Sequence, residues 1–469
     1  MHSQLIIKQL LGIALCCSLL ACTDIASQPN SGQETGDGFL RLRGAQLIIG
    51  NGEVIENGEI LIRDGLITYS GQIREQQLQG PVTELDLTGK TIIPTMIDAH
   101  AHLGYEGYSS WGGDNYTREN MIEHLQRYAY YGFGAVFSAG SDPDDFSIEL
   151  QRAQETGEVG GARFLFAAGM APPGQGPNNQ FLTHALAVED EMGMTVLRGA
   201  GSPEEGRTAV REIADKGIQV VKIWVDDRGG SQEKLSPEIY RAIIDEARSQ
   251  NIQVFVHQQN TDDMLDLVQA GATGFLHGRI SSLMDDELVN QLKQANVFVV
   301  PNLGLGELRR ERVADDAFLQ ETVSQSVVAE LGASFDARNQ STTVNPDAER
   351  QLSEAFTKLV EADVDIILGT DAGAVPNHFF GYAGHRELEI FVRLGMSPLQ
   401  ALVAATGKPA QRLGLEDTGT IESGKSADFV ILDSDPLIDI RNTRSISAVY
   451  LRGKKLDRDA MAQQWSAED

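Results

Sequence analysis

The chain has 469 residues, 67 of them acidic against 38 basic, for a formal charge of −29. That excess of carboxylate argues against a nucleic-acid partner, which needs a basic face, and against electrostatic attachment to anionic lipid. All three cysteines (Cys16, Cys17, Cys22) fall in the N-terminal leader, so the body has no thiolate ligand, disulfide or cysteine nucleophile.

Residues 10–21, LLGIALCCSLLA, form an apolar run too short to span a bilayer. Leu19-Leu20-Ala21-Cys22 follows the lipobox pattern of bacterial lipoproteins; an ordinary secretory signal or a buried helix is the alternative. The expectation is a signal peptide over 1–21, an acylated Cys22, and a polar tether over 22–38. The protein would then be exported to the bacterial cell envelope, facing the periplasm and touching the membrane only through its lipid.

Residues 39–90 read as short strands separated by Asn-Gly and Asp-Gly turns, with no helical periodicity. From residue 92 apolar runs alternate with amphipathic segments. The runs are 92–102, 134–140, 163–169, 218–226, 252–258, 271–278, 297–303 and 365–373. Ser202-Pro203 and Ser236-Pro237 have the composition of helix starts. Continuous apolar strands imply a parallel sheet covered on both faces, and eight such units are what a (β/α)8 (TIM) barrel requires. The chain then returns to β-type runs at 427–436 and 445–456. The expected fold is therefore α/β: a barrel over 92–418, flanked by a small β-sandwich built from both termini (39–91 and 419–460).

In a parallel barrel, chemistry collects at the C-terminal ends of the strands. His100 and His102 end the first run; Lys222 lies near the end of the fourth. His257 ends the fifth, His277 the sixth and Asp371 the eighth. His-x-His on a strand puts both imidazoles on one face. Each residue alone has an ordinary reading: a core histidine, or an aspartate capping the following helix. A lone ammonium inside Val-Val-Lys-Ile-Trp is costly unless paired. His124 is expected on a helix surface, and His378 and His385 in solvated loops or helix starts.

The segments IDAHAH, VVKIW, VFVHQQ, FLHG and LGTDAG, with the C-terminal run from Ala401 to Leu437, resemble the amidohydrolase superfamily. The likeness is greatest to its imidazolonepropionase-related and prolidase-like branch, over about residues 40–455. The resemblance implies a barrel holding one or two divalent metals, of which Zn2+ suits imidazole and carboxylate, with Mn2+ or Fe2+ as alternatives. It implies His100, His102 and Asp371 as ligands of the more buried ion and His257 and His277 of the second. Lys222, carboxylated by CO2, would bridge them. Asp371 would take a proton from water and pass it to the departing amine. Thr95, the pair Gln258-Gln259 and Leu276 depart from the common family pattern.

The expected activity is hydrolysis of the amide C–N bond of a small amino-acid-derived substrate. A prolidase-like dipeptidase or lactonase is the alternative, and a non-catalytic binding lipoprotein a more distant one. Substrate contacts are expected from Tyr105, Tyr108, Trp111, His184 and Arg228. Glu106, Asp114, Asp226 and Asp227 hint at a cationic substrate. A homo-oligomer is compatible with the sequence.

Overall fold

The computed structural model describes residues 38–277, 280, 284–307, 311–337 and 345–467. The expected signal peptide, Cys22 and nearly all of the tether lie outside the described residues. The body opens with β1 (Phe39–Ile48), β2 (Val54–Arg63) and β3 (Leu66–Gln72), an antiparallel meander. Asp64 and Gly65 join β2 to β3 with φ of 52° and 77°, the left-handed pair that matches the twist of a tight hairpin. β4 (Val82–Asp86) and β5 (Thr91–Pro94) run parallel to β1.

β6 (Met96–Ala101), β7 (Phe133–Ser138) and β8 (Arg163–Phe166) form a parallel set. β9 (Ala168–Ala171) follows after Ala167 alone and pairs with β10 (Leu197–Gly199) and β11 (Val220–Val225). β12 (Gln253–Gln258), β13 (Gly274–Leu276) and β14 (Phe298–Val300) continue in parallel. The third expected run thus bends at Ala167 and belongs to both sets. The eighth makes bridges in place of a regular ladder: Ile366 pairs with Val299, and Ala372 with Ala101. Helices such as Arg118–Tyr130, Pro203–Asp215 and Pro237–Ser249 separate the strands, giving a (β/α)8 barrel.

Side-chain alternation sorts the strand residues into two buried layers. Ala99, Phe137, Val220, Phe255, Phe298 and Ile367 pack together as one cluster inside the ring of strands. Val221, Ile223, Val254 and Val256 join the larger core that includes helix residues Val210, Ile213 and Ile243. Full burial of one such side chain is worth ~1.5–3 kcal/mol, so a one-residue slip that exchanged the layers would be strongly opposed. Ser202 caps its helix by accepting from Glu205 N. Ser236 makes no such cap; its hydroxyl bonds Glu238 instead, at 2.8 Å.

β15 (Phe429–Leu432), β16 (Ile446–Leu451) and β17 (Lys454–Lys455) extend the first sheet through β5. The eight-stranded sheet folds over so that Leu66 bridges Ser426, enclosing Leu42, Leu47, Ile60, Ile62, Phe429 and Ile431. The run 92–102, expected as one strand, is two strands in two sheets, divided at Thr95. A C-terminal helix, Arg458–Ser466, was not anticipated; it buries Trp465 against Tyr130 with ring centroids 5.7 Å apart. Among the described residues no helix is long and apolar enough to cross a membrane.

Candidate metal centre

The interior layer positions the mouth. Val220 and Phe255 sit in that layer, and two residues further along each strand come Lys222 and His257, which period two aims the same way. Leu276 also belongs to it, so alternation alone would turn His277 outward. His277 instead has φ 66°, and its Nε2 lies 3.3 Å from Asp371 Oδ2. Asp371 is likewise left-handed, at φ 61°, and its amide donates to His100 O at 2.7 Å. Non-glycine residues held at positive φ cost about 1–3 kcal/mol and gather at functional sites.

Three imidazoles converge on one carboxylate. His100 Nε2 and His102 Nε2 lie 3.4 and 3.2 Å from Asp371 Oδ1, and His277 approaches Oδ2. The ligand atoms of His100, His102 and Asp371 lie within 4.8 Å of one another. His257 packs edge-on to His277, with centroids 5.1 Å apart. His100 Nε2 and Asp371 Oδ1 are buried without a hydrogen-bond partner. Orphaned buried polar atoms are expensive, and a cation among these three residues offsets that cost. The donor set of imidazole nitrogen and carboxylate oxygen suits zinc and similar divalent ions.

Neighbours set the protonation states. Burial pushes the Asp371 carboxyl up, but His277, His100 and His102 more than reverse this and hold it well below the carboxylate range. Burial, assisted by Lys222, keeps the His100 imidazole neutral far below its usual value. Burial pulls the Lys222 ammonium down to about 7 against the attraction of Asp371, and Arg228 adds to the shift. An amine titrating there is partly neutral at physiological pH.

Four residues not anticipated in their roles hold the constellation. Asn302 Oδ1 accepts from His100 Nδ1 at 2.9 Å, and Ser141 Oγ bonds His102 Nδ1 at 2.7 Å. Asp98 accepts from Tyr128 Oη, Thr370 Oγ1 and the amides of His100 and Thr370, tying the first run to the eighth. Asp226 Oδ2 lies 3.0 Å from His257 Nε2. Asn302, Ser141 and Asp226 all sit one to three residues past the C-terminal end of a barrel strand, the positional signal by which they were legible.

A cavity of about 140 Å³ opens over this centre, lined by His102, Lys222, His257, His277 and Asp371, with Phe181, Trp224, Leu305 and Arg228 around them. Of the expected substrate contacts, Arg228 alone lines it. Tyr105 is fully buried and donates to Ser141 O. Tyr108 stacks on Phe379, under Arg127. Trp111 donates to Gly373 O at 2.8 Å, and His184 Nδ1 accepts from Gly113 N at 3.1 Å. These four hold the mouth loops together. Of the four acidic residues named with them, Glu106 is buried and accepts from the amides of Tyr108 and Asn377, Asp226 is engaged by His257 and Arg228, and Asp114 and Asp227 are exposed.

Three other histidines differ from expectation. His124 is fully buried, with Nδ1 accepting from Gly104 N and Nε2 against Glu106 O. His385 is buried between Thr443 Oγ1 and Tyr131 O, and His378 is 2% exposed beside Asp371. Each belongs to an apolar helix face or a packed loop, where burial and hydrogen bonding outweigh solvation.

Comparison with known proteins gives the family and the fold. The chain is 25% identical to ochratoxinase from Aspergillus niger over 443 residues, covering 87% of this chain and 84% of that protein. It is 25% identical to imidazolonepropionase from Streptomyces griseus over 426 residues, covering 87% and 95%. The crystal structure of a Xaa-Pro dipeptidase with methionine in its active site has a similar fold, at TM-score 0.66 and 24% identity over 89% of this chain and 99% of that one. Residues 91–456 match the amidohydrolase family, so a barrel whose strand ends bring His100, His102, His277 and Asp371 together identifies this chain as a member of that family.

Proposed function

We propose that this chain hydrolyses the amide C–N bond of a small amino-acid-derived substrate in a metal-dependent reaction. His100, His102 and Asp371 hold one divalent ion and His257 and His277 a second. Lys222, carboxylated by CO2, would add a carboxylate donor between them, and Zn2+ is the ion that would suit the donors best. The observation that carries this reading is the convergence of three imidazoles on Asp371, with His100 Nε2 and Asp371 Oδ1 buried and unpartnered.

Bound divalent metal supplies polarisation of the scissile carbonyl and acidification of water. The protein's own groups do the rest. Asp371, held ionised, accepts the proton of the attacking water on Oδ2, the oxygen turned away from His100 and His102, as the C–O bond forms. It returns that proton to nitrogen as the C–N bond breaks, so the leaving group departs as a neutral amine. The lowered Lys222 amine supports carbamate formation, since only the neutral nitrogen attacks CO2, with release of one proton. Phe181, Trp224 and Leu305 give the cavity apolar lining, and Arg228 suits a substrate carboxylate. Because a dipeptide carries such a carboxylate beside its amide, a dipeptidase is the second reading.

A panel of N-acyl amino acids, dipeptides and lactones, with metal analysis on the same sample, tests the assignment. Hydrolysis of an N-acyl amino acid is expected, and Asp371→Asn should lower kcat about 10²–10⁴-fold. Full metal content with no turnover across the panel, or turnover unaffected by Asp371→Asn, would overturn it. On the same reading Cys22 carries the lipid that holds the enzyme in the bacterial envelope facing the periplasm, which fatty-acid labelling of intact cells tests.

A further inference from the structure

An imidazole that ligates through one nitrogen leaves the other for a hydrogen bond, and that bond decides which nitrogen is free. At His100 and His102 the partners Asn302 and Ser141 occupy Nδ1, and both Nε2 atoms face Asp371. His257 is reversed. Its Nε2 is the nitrogen engaged, 3.0 Å from Asp226 Oδ2. An ionised carboxylate only accepts, so Nε2 carries the proton and the lone pair of the neutral ring is on Nδ1.

Asp226 is itself held in place. Arg228 Nε lies 3.2 Å from the same Oδ2, and the Arg228 amide donates to Oδ1 at 3.0 Å. Arg228 adopts φ 52°, a left-handed turn that folds the backbone around the carboxylate just past the end of β11. Asp226 Oδ1 is thus held by the Arg228 amide and Oδ2 by His257, with the Arg228 guanidinium adding an ion pair.

We propose that Asp226 is the positioning residue of the second metal site: by accepting the hydrogen bond of the His257 Nε2–H it leaves the Nδ1 lone pair free to ligate. The inference rests on the two-ion reading above. It makes the two halves of the centre chemically unequal. An amide oxygen and a hydroxyl orient the histidines of the first ion; a carboxylate locked to an arginine orients His257 and raises the basicity of its ring.

Metal binding tests this without reference to turnover. The full chain is stripped with chelator and reloaded with Zn2+ or Co2+, and bound metal is counted against a competing chelator. The parent should take two ions. Asp226→Ala should keep the first at parental affinity and bind the second about 10–100-fold more weakly, with a changed Co2+ visible spectrum. Asp226→Asn, whose amide oxygen still accepts from Nε2 but lacks the charge, should show a smaller loss of the same kind. It carries the test should the alanine variant not fold. Two ions held at parental affinity in both variants would overturn the role of Asp226. A parent that takes one ion only would overturn the two-ion reading, and the proposal with it, so the two failures are distinct.

Discussion

The two sides of the barrel mouth are built to different standards. On the side formed by the first and eighth runs, His100 is fully buried, Asp98 gathers four donors, and Asn302 and Ser141 complete the imidazoles. On the side formed by the fourth, fifth and sixth, Lys222, Trp224, Arg228, His257 and His277 line the cavity, and the His277 side chain is 17% exposed. The first side is wired through a dense set of buried hydrogen bonds; on the second Lys222 and His257 are buried too, but the side chains of His277 and Arg228 reach open space. A centre that must hold an ion and admit a substrate needs both, because rigidity preserves ligand geometry while access requires unfilled volume.

The sharpest way to break this comparison is to remove the hub of the rigid side. Asp98→Ala leaves the hydroxyls of Tyr128 and Thr370 and the amide of His100 buried without that acceptor, while the Thr370 amide keeps His100 O. A loss of about 3–5 kcal/mol in urea unfolding is expected; a loss below about 1 kcal/mol would show that the two sides are equally loose.

Glu106 gives an effect of somewhat smaller size with a pH signature. Burial raises its carboxyl to about 7, against the backbone amides of Asn377 and Tyr108 that favour the ion. A raised folded-state value means the folded chain holds a proton that the unfolded chain has released. Stability from this group is therefore full below pH about 4.5 and is lost as pH climbs to about 7, by ~3 kcal/mol. Glu106→Gln should flatten that decline relative to the parent in unfolding curves taken between pH 4.5 and 8. Parallel curves for the two proteins would refute it.

The smallest expected change is at Trp111, which ties its loop to Gly373, the neighbour of the cavity residue Ala374. Trp111→Phe removes the indole bond to Gly373 O and should cost about 1 kcal/mol, read by denaturant titration. A neutral result would mean that this bond exchanges freely with water.

Much of the molecule was legible because its signals are local. The strand and helix alternation, the β-rich ends and the polar residues at strand ends all follow from period and spacing. His124 was misread although a signal was present: Met121, His124, Leu125 and Tyr128 lie on one helical face, and all four are buried. Period 3.6 outranks residue polarity as a guide to burial when apolar neighbours flank the histidine. Tyr105, Tyr108, Trp111 and His184 were legible as mouth-loop residues but not as loop supports. Their partners Ser141, Phe379, Gly373 and Gly113 come from other segments, and no spacing encodes those contacts.

What the amino-acid order alone determined is the ring of eight units and the set of groups delivered to its mouth, since both depend on periodicities that each segment expresses by itself. Packing between distant segments decided the rest. It turned His277 inward through a left-handed residue, divided the first run between two sheets at Thr95, and set which nitrogen of each imidazole is free. The reason is that the partners responsible, Asn302 for His100 and Asp226 for His257, stand 202 and 31 residues away along the chain, and only folding brings them within hydrogen-bonding distance.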